Sequence, residues 1–189
     1  MVESTVLKIV KGHLVAQCSA IDSDIVAART LRGQCFGIGQ QPDVDRFDVY
    51  STHVLIRDTT TRDLMGCFRF SLLKPSEVPS CYSAQHYDLS SLALHASQMM
   101  EIGRFCIANG RRDPDILRLA WAMIAQIVLR SDVDFLFGCS SFEGTDPGRY
   151  RAGFGLLQSR YLAPPIWRPG KKSDTSRVVA LSAKRCKPS

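Results

Sequence analysis

Several features that would assign a function directly are missing from this sequence of 189 residues. Its seven cysteines form no CxxC pair and have no histidine at ligand spacing, so we expect no metal site and reduced, mostly buried thiols. No stretch approaches the roughly 20 apolar residues that span a bilayer, and the first residues contain no signal-peptide core. Aromatic residues make up 8% and are not interleaved with basic ones, which argues against nucleic-acid binding. These absences predict a cytoplasmic protein.

What is present is the composition of an ordinary globular domain. Apolar residues make up 45% and charged residues 22%, and the length predicts a single domain over 1–189. The net charge is +6, and 17 of the 24 basic residues are arginine, the side chain best suited to bidentate binding of phosphate or carboxylate. A basic surface of this kind is compatible with plain solubility, with an acidic protein partner or with anionic lipid.

Hydrophobic periodicity predicts the order β-α-β-β-loop-β-α-β-α-β, typical of an α/β fold with a mixed central sheet and helices on both faces. The helix at 114–129 is the clearest, with Asp113 as its N-cap and an inward apolar stripe that includes Leu117 and Trp121. A helix at 22–36 is capped by Asp22 or Ser23 and includes Val26 in its stripe. The remaining predicted elements are a strand or hairpin at 6–16, strands at 52–57, 64–72, 99–108, 135–139 (buried) and 178–181, a helix at 147–161, and a loop at 74–97 with a helical piece at 89–96.

Charged residues in strand-like segments are the candidates for chemistry. Arg69, Glu101 and Arg104 lie within apolar runs, and such charges are rarely buried unless they are paired. Alternation of side chains places Glu101 and Arg104 on opposite faces of the strand unless a β-bulge intervenes. Asp45 and Asp48 form an acidic pair shortly before the predicted strand at 52–57. They either cap backbone amides or bind a cationic substrate. The sequence alone is compatible both with structural ion pairs among these charged residues and with a functional site.

A second candidate lies where this strand ends. Asn109 and Gly110 form a turn, and Arg111 and Arg112 follow directly before the helix start at Asp113. Backbone amides and guanidinium groups at a helix start can hold one phosphate, although no P-loop or GxGxxG pattern is present. The serines at 140–141 lack a GxSxG elbow, which excludes a typical serine hydrolase.

Taken together, five ordered motifs resemble those of the acyl-carrier-protein-dependent N-acyltransferases related to autoinducer synthases, which have a GNAT-like fold. Within that group the sequence is most similar to the ornithine N-acyltransferases of bacterial ornithine-lipid synthesis. The resemblance extends over about 24–187. The motifs are Arg32-x3-Phe36, Asp45-x2-Asp48, Gly66-x2-Arg69, Glu101-x2-Arg104-Phe105 and FGCSSFEGTD from 137 to 146.

This resemblance implies transfer of a 3-hydroxyacyl chain from acyl carrier protein to the α-amino group of L-ornithine, giving lyso-ornithine lipid. The acyl donor would be held on the carrier's phosphopantetheine, and no permanently bound cofactor is expected. Peripheral contact with the inner membrane is compatible with this function. The residues it implies are Glu101 and Arg104 for catalysis and Arg32, Phe36, Asp45, Asp48 and Arg69 for the acceptor. The chemistry of attack on a thioester adds the backbone at Phe105, Cys106 and Ile107 for the acyl donor, and Arg111 and Arg112 are the candidates for its phosphate.

Two departures from the wider family bear on the donor and on completeness. The pyrophosphate-binding pattern of coenzyme A-dependent GNAT enzymes is replaced by NGRRDPD, which suits a phosphopantetheine arm without adenosine. Related proteins usually continue through further sheet and helix, so the fold is expected to be shortened at the C-terminus. The alternatives are an autoinducer synthase, whose expected Trp between Phe36 and Asp45 is missing, an acyl-coenzyme A-dependent GNAT enzyme, and an inactive carrier-binding module.

Overall fold

The structure is a computed structural model that describes residues 7–37, 41–94, 97–110, 113–140, 142, 144 and 146–172. Its contacts divide the chain into two compact units. Unit 1 comprises Met1–Leu73 and Ser97–Cys139, and unit 2 comprises Lys74–Ala96 and Ser140–Ser189. The single domain expected from the length stays a prediction.

The described residues form strands and α-helices in the predicted alternation, joined by short 3-10 turns. The strands are β1 (Lys8–Lys11), β2 (Leu14–Ser19), β3 (Thr52–Asp58), β4 (Leu64–Leu73), β5 (Tyr87–Asp88), β6 (Met99–Ile107), β7 (Phe135–Gly138) and β8 (Gly170–Lys171), and the helices are α1 (Asp22–Cys35), α2 (Ser90–Ala93), α3 (Pro114–Arg130) and α4 (Arg151–Arg160).

Unit 1 contains a six-stranded mixed sheet in the order β1-β2-β3-β4-β6-β7, in which only the β6–β7 pair is parallel. Helix α3 packs on one face of the sheet and α1 on the other, as predicted. The α3 face holds the larger core because apolar side chains from five strands meet the helix there, among them Ile9, Leu14, Val54, Phe68 and Met100. Ala28, Leu31, Cys67 and Cys106 form a smaller apolar cluster on the α1 face.

Helix α3 begins as predicted, because the Asp113 side chain accepts a hydrogen bond from the Asp115 backbone N–H at 2.8 Å. Its predicted inward stripe is wrong at two positions. Leu117 is 44% exposed and Trp121 54% exposed. The helix turns its Ile116, Leu119, Ala120, Met123, Ile124 and Ile127 side to the sheet, and this face leaves Leu117 and Trp121 outside.

Four other sequence predictions differ from the structure or fall outside it. Ile21 occupies the N-cap position of α1, with Asp22 already in the first turn, and Val26 is 55% exposed. Strand β7 is half-exposed rather than buried, because β6 is its only strand partner in the described part of the chain. The strand predicted at 178–181 lies outside the described residues.

Strand β6 contains a β-bulge and then separates from β7. Opposite Cys67 and Arg69 of β4 stand Cys106 and Gly103, so β6 carries one extra residue there, and Arg104 adopts a φ of 55°. The parallel pairing with β7 ends at Ile102 and Gly138. A Cβ on Gly138 would lie 2.2 Å from the Ile102 carbonyl oxygen, so only glycine permits this last close contact.

Unit 2 is built mainly from turns. The predicted loop at 74–97 contains 3-10 turns at Pro75–Ser80 and Ser83–Gln85 and the single helical turn of α2. Strands β5 and β8 form a two-stranded antiparallel sheet. The helix predicted at 147–161 is a 3-10 turn followed by α4. Among the described residues, no helix combines the length and apolar character needed to cross a membrane.

Candidate functional site

A group of paired charges lies on the α1 face of the sheet in unit 1. We call it the arginine–aspartate network. It unites two residues of α1 with the segment that follows the helix and with strands β4 and β6. Its members are Arg29, Arg32, Asp43, Asp45, Asp48, Arg69 and Arg104.

Asp48 is the centre of the network. Its side chain is 0% exposed and lies 2.9 Å from Arg29 Nε and 2.8 Å from Arg32 Nη1, and it also accepts a hydrogen bond from Arg69. Burial by itself raises the pKa of Asp48, but the hydrogen bonds and charges of Arg32 and Arg69 outweigh burial and hold the pKa well below its ordinary value of 3.8. The carboxylate is therefore ionised and already saturated with donors.

Arg32 connects α1 to the loop at 41–43. Its side chain is 1% exposed, and its Nε donates to Asp43 Oδ2 at 2.9 Å. Burial by itself lowers the pKa of Arg32, but the hydrogen bonds and charges of Asp48 and Asp43 raise it by more than burial lowers it. The net shift of the pKa is therefore upward, and the guanidinium stays charged. Gly33 permits the close approach of the loop at 41–43 to α1, because a Cβ on residue 33 would lie 1.9 Å from the Gln41 carbonyl oxygen.

The outer part of the network is partly open to solvent. Asp45 is 18% exposed and receives Arg69 Nη1 at 2.6 Å and Arg104 Nη2 at 2.9 Å. Arg104, 22% exposed, also places its Nε 2.8 Å from Asp43 Oδ2, within ion-pair distance but without hydrogen-bond geometry. Burial favours a raised pKa for Asp45, but the hydrogen bond and charge of Arg69 and the Phe47 N–H lower it overall.

Two aromatic rings accompany these outer charges. Phe36, 37% exposed, lies 5.8 Å from the guanidinium carbon of Arg104, and Phe47 lies 6.0 Å from that of Arg69. These distances fit cation–π contacts, which hold the planar guanidinium groups in place. Phe36 and Arg104 together form the solvent-accessible corner of the network.

Glu101 lies on the same sheet face as the network. Its register partner on β4 is Ser71, two residues beyond Arg69, and its side chain is buried with 7% exposure. The bulge reverses the alternation of β6, so Arg104 points to the face that Glu101 occupies. The sequence placed Glu101 and Arg104 on opposite faces of the strand unless a β-bulge intervened. The structure contains that bulge, so both side chains lie on one face.

Beyond Ile102, the edge of β6 that faces away from β4 has no strand partner among the described residues, and we call it the open edge of β6. The Phe105 ring stacks on Phe68 in the α3-side core with ring centroids 5.8 Å apart, and Cys106 Sγ lies 3.5 Å from Cys67 Sγ. Because the Ala108 N–H donates to the Met65 carbonyl on β4, alternation directs the Ile107 N–H to the opposite edge. Arg111 and Arg112 lie outside the described residues.

Sequence reasoning missed three members of this site, namely Arg29, Asp43 and His53. The spacing of Arg29 and Arg32, one helical turn apart on α1, was a signal for a shared face. His53 Nε2 lies 3.3 Å from the Asp48 carbonyl oxygen, and burial lowers the pKa of His53, so the imidazole is neutral. Only the fold shows this contact, because the sequence of β3 does not indicate which of its side chains face Asp48.

The structure sorts the predicted acceptor residues by access. Arg32, Asp48 and Arg69 are at most 4% exposed, whereas Phe36 and Asp45 reach solvent. No group of three or more His, Cys, Asp or Glu side chains in the described part of the chain is arranged to hold a metal ion. The assignment of roles to single residues stays a prediction.

Comparison with known proteins gives this geometry a context. A family model described as an acetyltransferase (GNAT) domain matches residues 32–122. The L-ornithine N(alpha)-acyltransferase of Brucella abortus (strain 2308) is 29% identical over 136 residues, covering 68% of this chain and 48% of that protein. The enzyme of the same name from Rhodobacter capsulatus is 27% identical over 133 residues, covering 67% and 51%. The chain spans about half the length of these curated relatives.

Solved structures agree on the fold. FeeM, an N-acyl amino acid synthase from uncultured soil microbes, superposes with a TM-score of 0.51 at 15% identity, covering 81% of this chain and 78% of that one. The AHL synthase LasI gives a TM-score of 0.50 at 17% identity, covering 79% and 78%. The predicted GNAT-like α/β fold and the predicted resemblance to ornithine N-acyltransferases are confirmed.

Proposed function

We propose that this chain is an N-acyltransferase that moves a 3-hydroxyacyl chain from acyl carrier protein to the α-amino group of L-ornithine, giving lyso-ornithine lipid. The observation that supports it best is the edge of β6 beyond Ile102, which has no second strand partner in the part of the chain that the structure describes and lies beside the arginine–aspartate network, with Glu101 on the network's face of the same strand. An exposed strand edge can receive the amide groups of a pantetheine arm, and the adjacent charges can receive a zwitterionic amino acid.

The reaction forms an amide and breaks a thioester. The acceptor nitrogen attacks the carbonyl carbon only in its deprotonated form, so a base must take a proton from the ammonium group. Glu101 is our candidate for this base, directly or through a water molecule. The C–S bond then breaks, and the carrier's thiolate leaves and takes up a proton.

The negative charge that develops on the carbonyl oxygen needs donors at the open edge of β6. The backbone N–H of Ile107 is directed to that edge, and it is a candidate donor to the oxyanion. On this proposal Ile107 contributes to the donor side through its backbone, while Phe105 and Cys106 hold the strand in place by packing their side chains in the core. Arg111 and Arg112 remain candidates for the pantetheine phosphate from their sequence position alone.

Recognition of the acceptor falls to the partly exposed members of the network. Asp45 can pair with a cationic amino acid and Arg104 with its carboxylate, while Phe36 covers the corner. Arg32, Asp48 and Arg69 hold these groups in place, because burial keeps them from a ligand. The net charge of +6 suits an acidic carrier protein, whose approach it would accelerate.

The test is to incubate the purified protein with 3-hydroxyacyl carrier protein and L-ornithine and to detect the acylated amino acid by mass spectrometry. We expect Glu101→Gln to reduce turnover by at least about 100-fold, the size of a general-base contribution, with unchanged unfolding behaviour. Glu77→Gln is the matched control, because Glu77 is exposed and caps a turn in unit 2. Near-normal turnover by Glu101→Gln would exclude Glu101 as the base.

The same assay separates the alternatives by the donor supplied. Product formed with acyl-coenzyme A but not with the carrier would indicate a coenzyme A-dependent enzyme, and a lactone formed from S-adenosylmethionine would indicate an autoinducer synthase. Absence of product with every donor and amine, together with binding of the carrier, would overturn the proposed activity in favour of a binding module.

A further inference from the structure

The outward side of α3 is apolar, although the helix already buries a full apolar side in the core. We call this surface the outer face of α3. At 100° per residue its members lie on the side opposite the buried residues. Trp121 is 54% exposed, Leu129 75% and Leu117 44%. The outer face consists of Leu117, Trp121, Ala122, Ala125 and Leu129, all exposed.

Such a surface is unusual for a helix packed on a sheet. The solvent side of an amphipathic helix is normally polar, and isolated exposed leucines need no explanation. Here Leu117, Trp121, Ala125 and Leu129 follow one another at intervals of four, so they form one continuous stripe along the helix. This pattern indicates contact with another apolar phase.

Three basic side chains, Lys11, Arg118 and Arg130, lie beside the stripe, together with acids at the two ends of the helix. Arg118 is 65% exposed and lies between the apolar residues, and its Nη1 is 2.7 Å from Asp115 Oδ1. The same carboxylate receives Lys11 Nζ from β1 at 2.9 Å. Arg130 ends the helix, and Asp132 follows it. The acid on the helix is thus already shared by two cations, and a guanidinium stands in the middle of the stripe.

We propose that the outer face of α3 binds the surface of an anionic lipid bilayer. Leu117, Trp121 and Leu129 enter the interface between headgroups and acyl chains, which is the preferred depth for a tryptophan ring. The long Arg118 side chain extends back from the apolar stripe to a lipid phosphate. Lys11, on the flank, adds attraction to the anionic headgroups.

Charge explains why lipid is favoured over a second copy of this chain. Pairing the outer face with itself would bring two Arg118 side chains into one apolar contact, and the acid within reach, Asp115, is already held by Lys11 and Arg118. An anionic bilayer supplies a phosphate for every guanidinium. The proposal does not rest on the acyltransferase activity, because it concerns binding alone.

The experiment measures binding to vesicles of phosphatidylethanolamine with phosphatidylglycerol by sedimentation. We expect Leu117→Gln combined with Trp121→Gln to weaken binding to the vesicles at least about tenfold, because two apolar side chains then no longer insert into the bilayer interface. Val26→Gln is the matched control, since Val26 is 55% exposed on α1, on the other face of the sheet, and should bind as the wild type does.

A second measurement reports the depth of Trp121. The sequence has two tryptophans, so Trp167→Phe leaves Trp121 as the only one. We expect its fluorescence to shift to the blue with anionic vesicles and to be quenched by lipids brominated on the acyl chain. Wild-type binding by the Leu117/Trp121 double variant, or no spectral shift on bound vesicles, would overturn the proposal. A wild-type dimer that becomes monomeric in the double variant and binds no vesicles would assign the face to a second copy.

Discussion

At the scale of single residues, Asp48 shows why a charge in the interior is tolerated. Its carboxylate has no exposure and is surrounded by Arg29, Arg32 and Arg69. Bringing such a group out of water costs several kcal/mol, which only close pairing offsets. The role of Asp48 is therefore to hold arginines in fixed positions beside the open corner formed by Phe36 and Arg104.

We predict that Asp48→Asn strongly destabilises the protein. The substitution leaves Arg32 and Arg69 buried without their central counter-charge, a loss of about 3–5 kcal/mol in the free energy of unfolding. Asp115→Asn is the matched control, because Asp115 also bridges two cations but is 35% exposed, so a much smaller loss is expected there. Urea denaturation compares the two variants, and equal losses would contradict the assignment of Asp48 as the centre of the network.

The network also predicts the direction of the pH dependence. The pKa values of Asp45 and Asp48 are lowered below 3.8, so above that pH their stabilisation is fully present, and it is lost as the pH falls through the folded-state pKa. The lowered pKa of His53 acts in the same direction below 6.5, because the unfolded chain then takes up the proton first. Unfolding free energies measured from pH 7 to 3 should decrease monotonically, with a smaller decrease below pH 4 in Asp48→Asn than in wild type.

At the scale of elements, the bulge in β6 determines which side chains share a face. One extra residue between Gly103 and Cys106 places Arg104 beside Asp45 and leaves Phe105 in the core. The cost is a positive φ at Arg104, which an L-residue with a side chain adopts only under constraint. The ion pairs of Arg104 supply that constraint.

We predict that Arg104→Gly is more stable than Arg104→Ala by about 1 kcal/mol, because both lose the guanidinium but only glycine adopts a φ of 55° without strain. In an ordinary strand position the order is the reverse, since glycine there costs more backbone entropy. Parallel denaturation curves of the two variants decide between these cases. A more stable Arg104→Ala would show that the bulge is not maintained in solution.

At the scale of the whole molecule, the cysteines are dispersed over both units and make no disulfide among the described residues. Cys67, Cys81 and Cys106 are buried, and Cys18, Cys35 and Cys139 are half-buried. Burial raises the pKa of Cys18, and burial together with the Cys106 thiol raises the pKa of Cys35 to about 12. These thiols are protonated at neutral pH and react slowly.

We predict that a thiol reagent titrates all seven cysteines of the chain in denaturant, and that the six described cysteines react slowly in the native protein because they are buried or half-buried. The addition of a reductant should leave the unfolding curve unchanged. Five reactive thiols in denaturant without reductant would reveal a disulfide and would contradict the prediction of a reduced protein.

The sequence alone determined the order of the elements, the GNAT-like fold and most of the charged residues, because periodicity and propensity act locally and the motif spacing is itself linear. Arg69 and Asp48 were recognisable because a charge in or beside an apolar run must find a partner. The exposure of Leu117 and Trp121 was not recognisable, since both positions fit an apolar stripe and only packing of α3 on the sheet selects the buried side. The common face of Glu101 and Arg104 was decided by the bulge, which depends on pairing with β4. Tertiary structure also brought Arg29 and His53 to Asp48 and Asp43 to Arg32, because contacts between different elements have no local signal in the sequence.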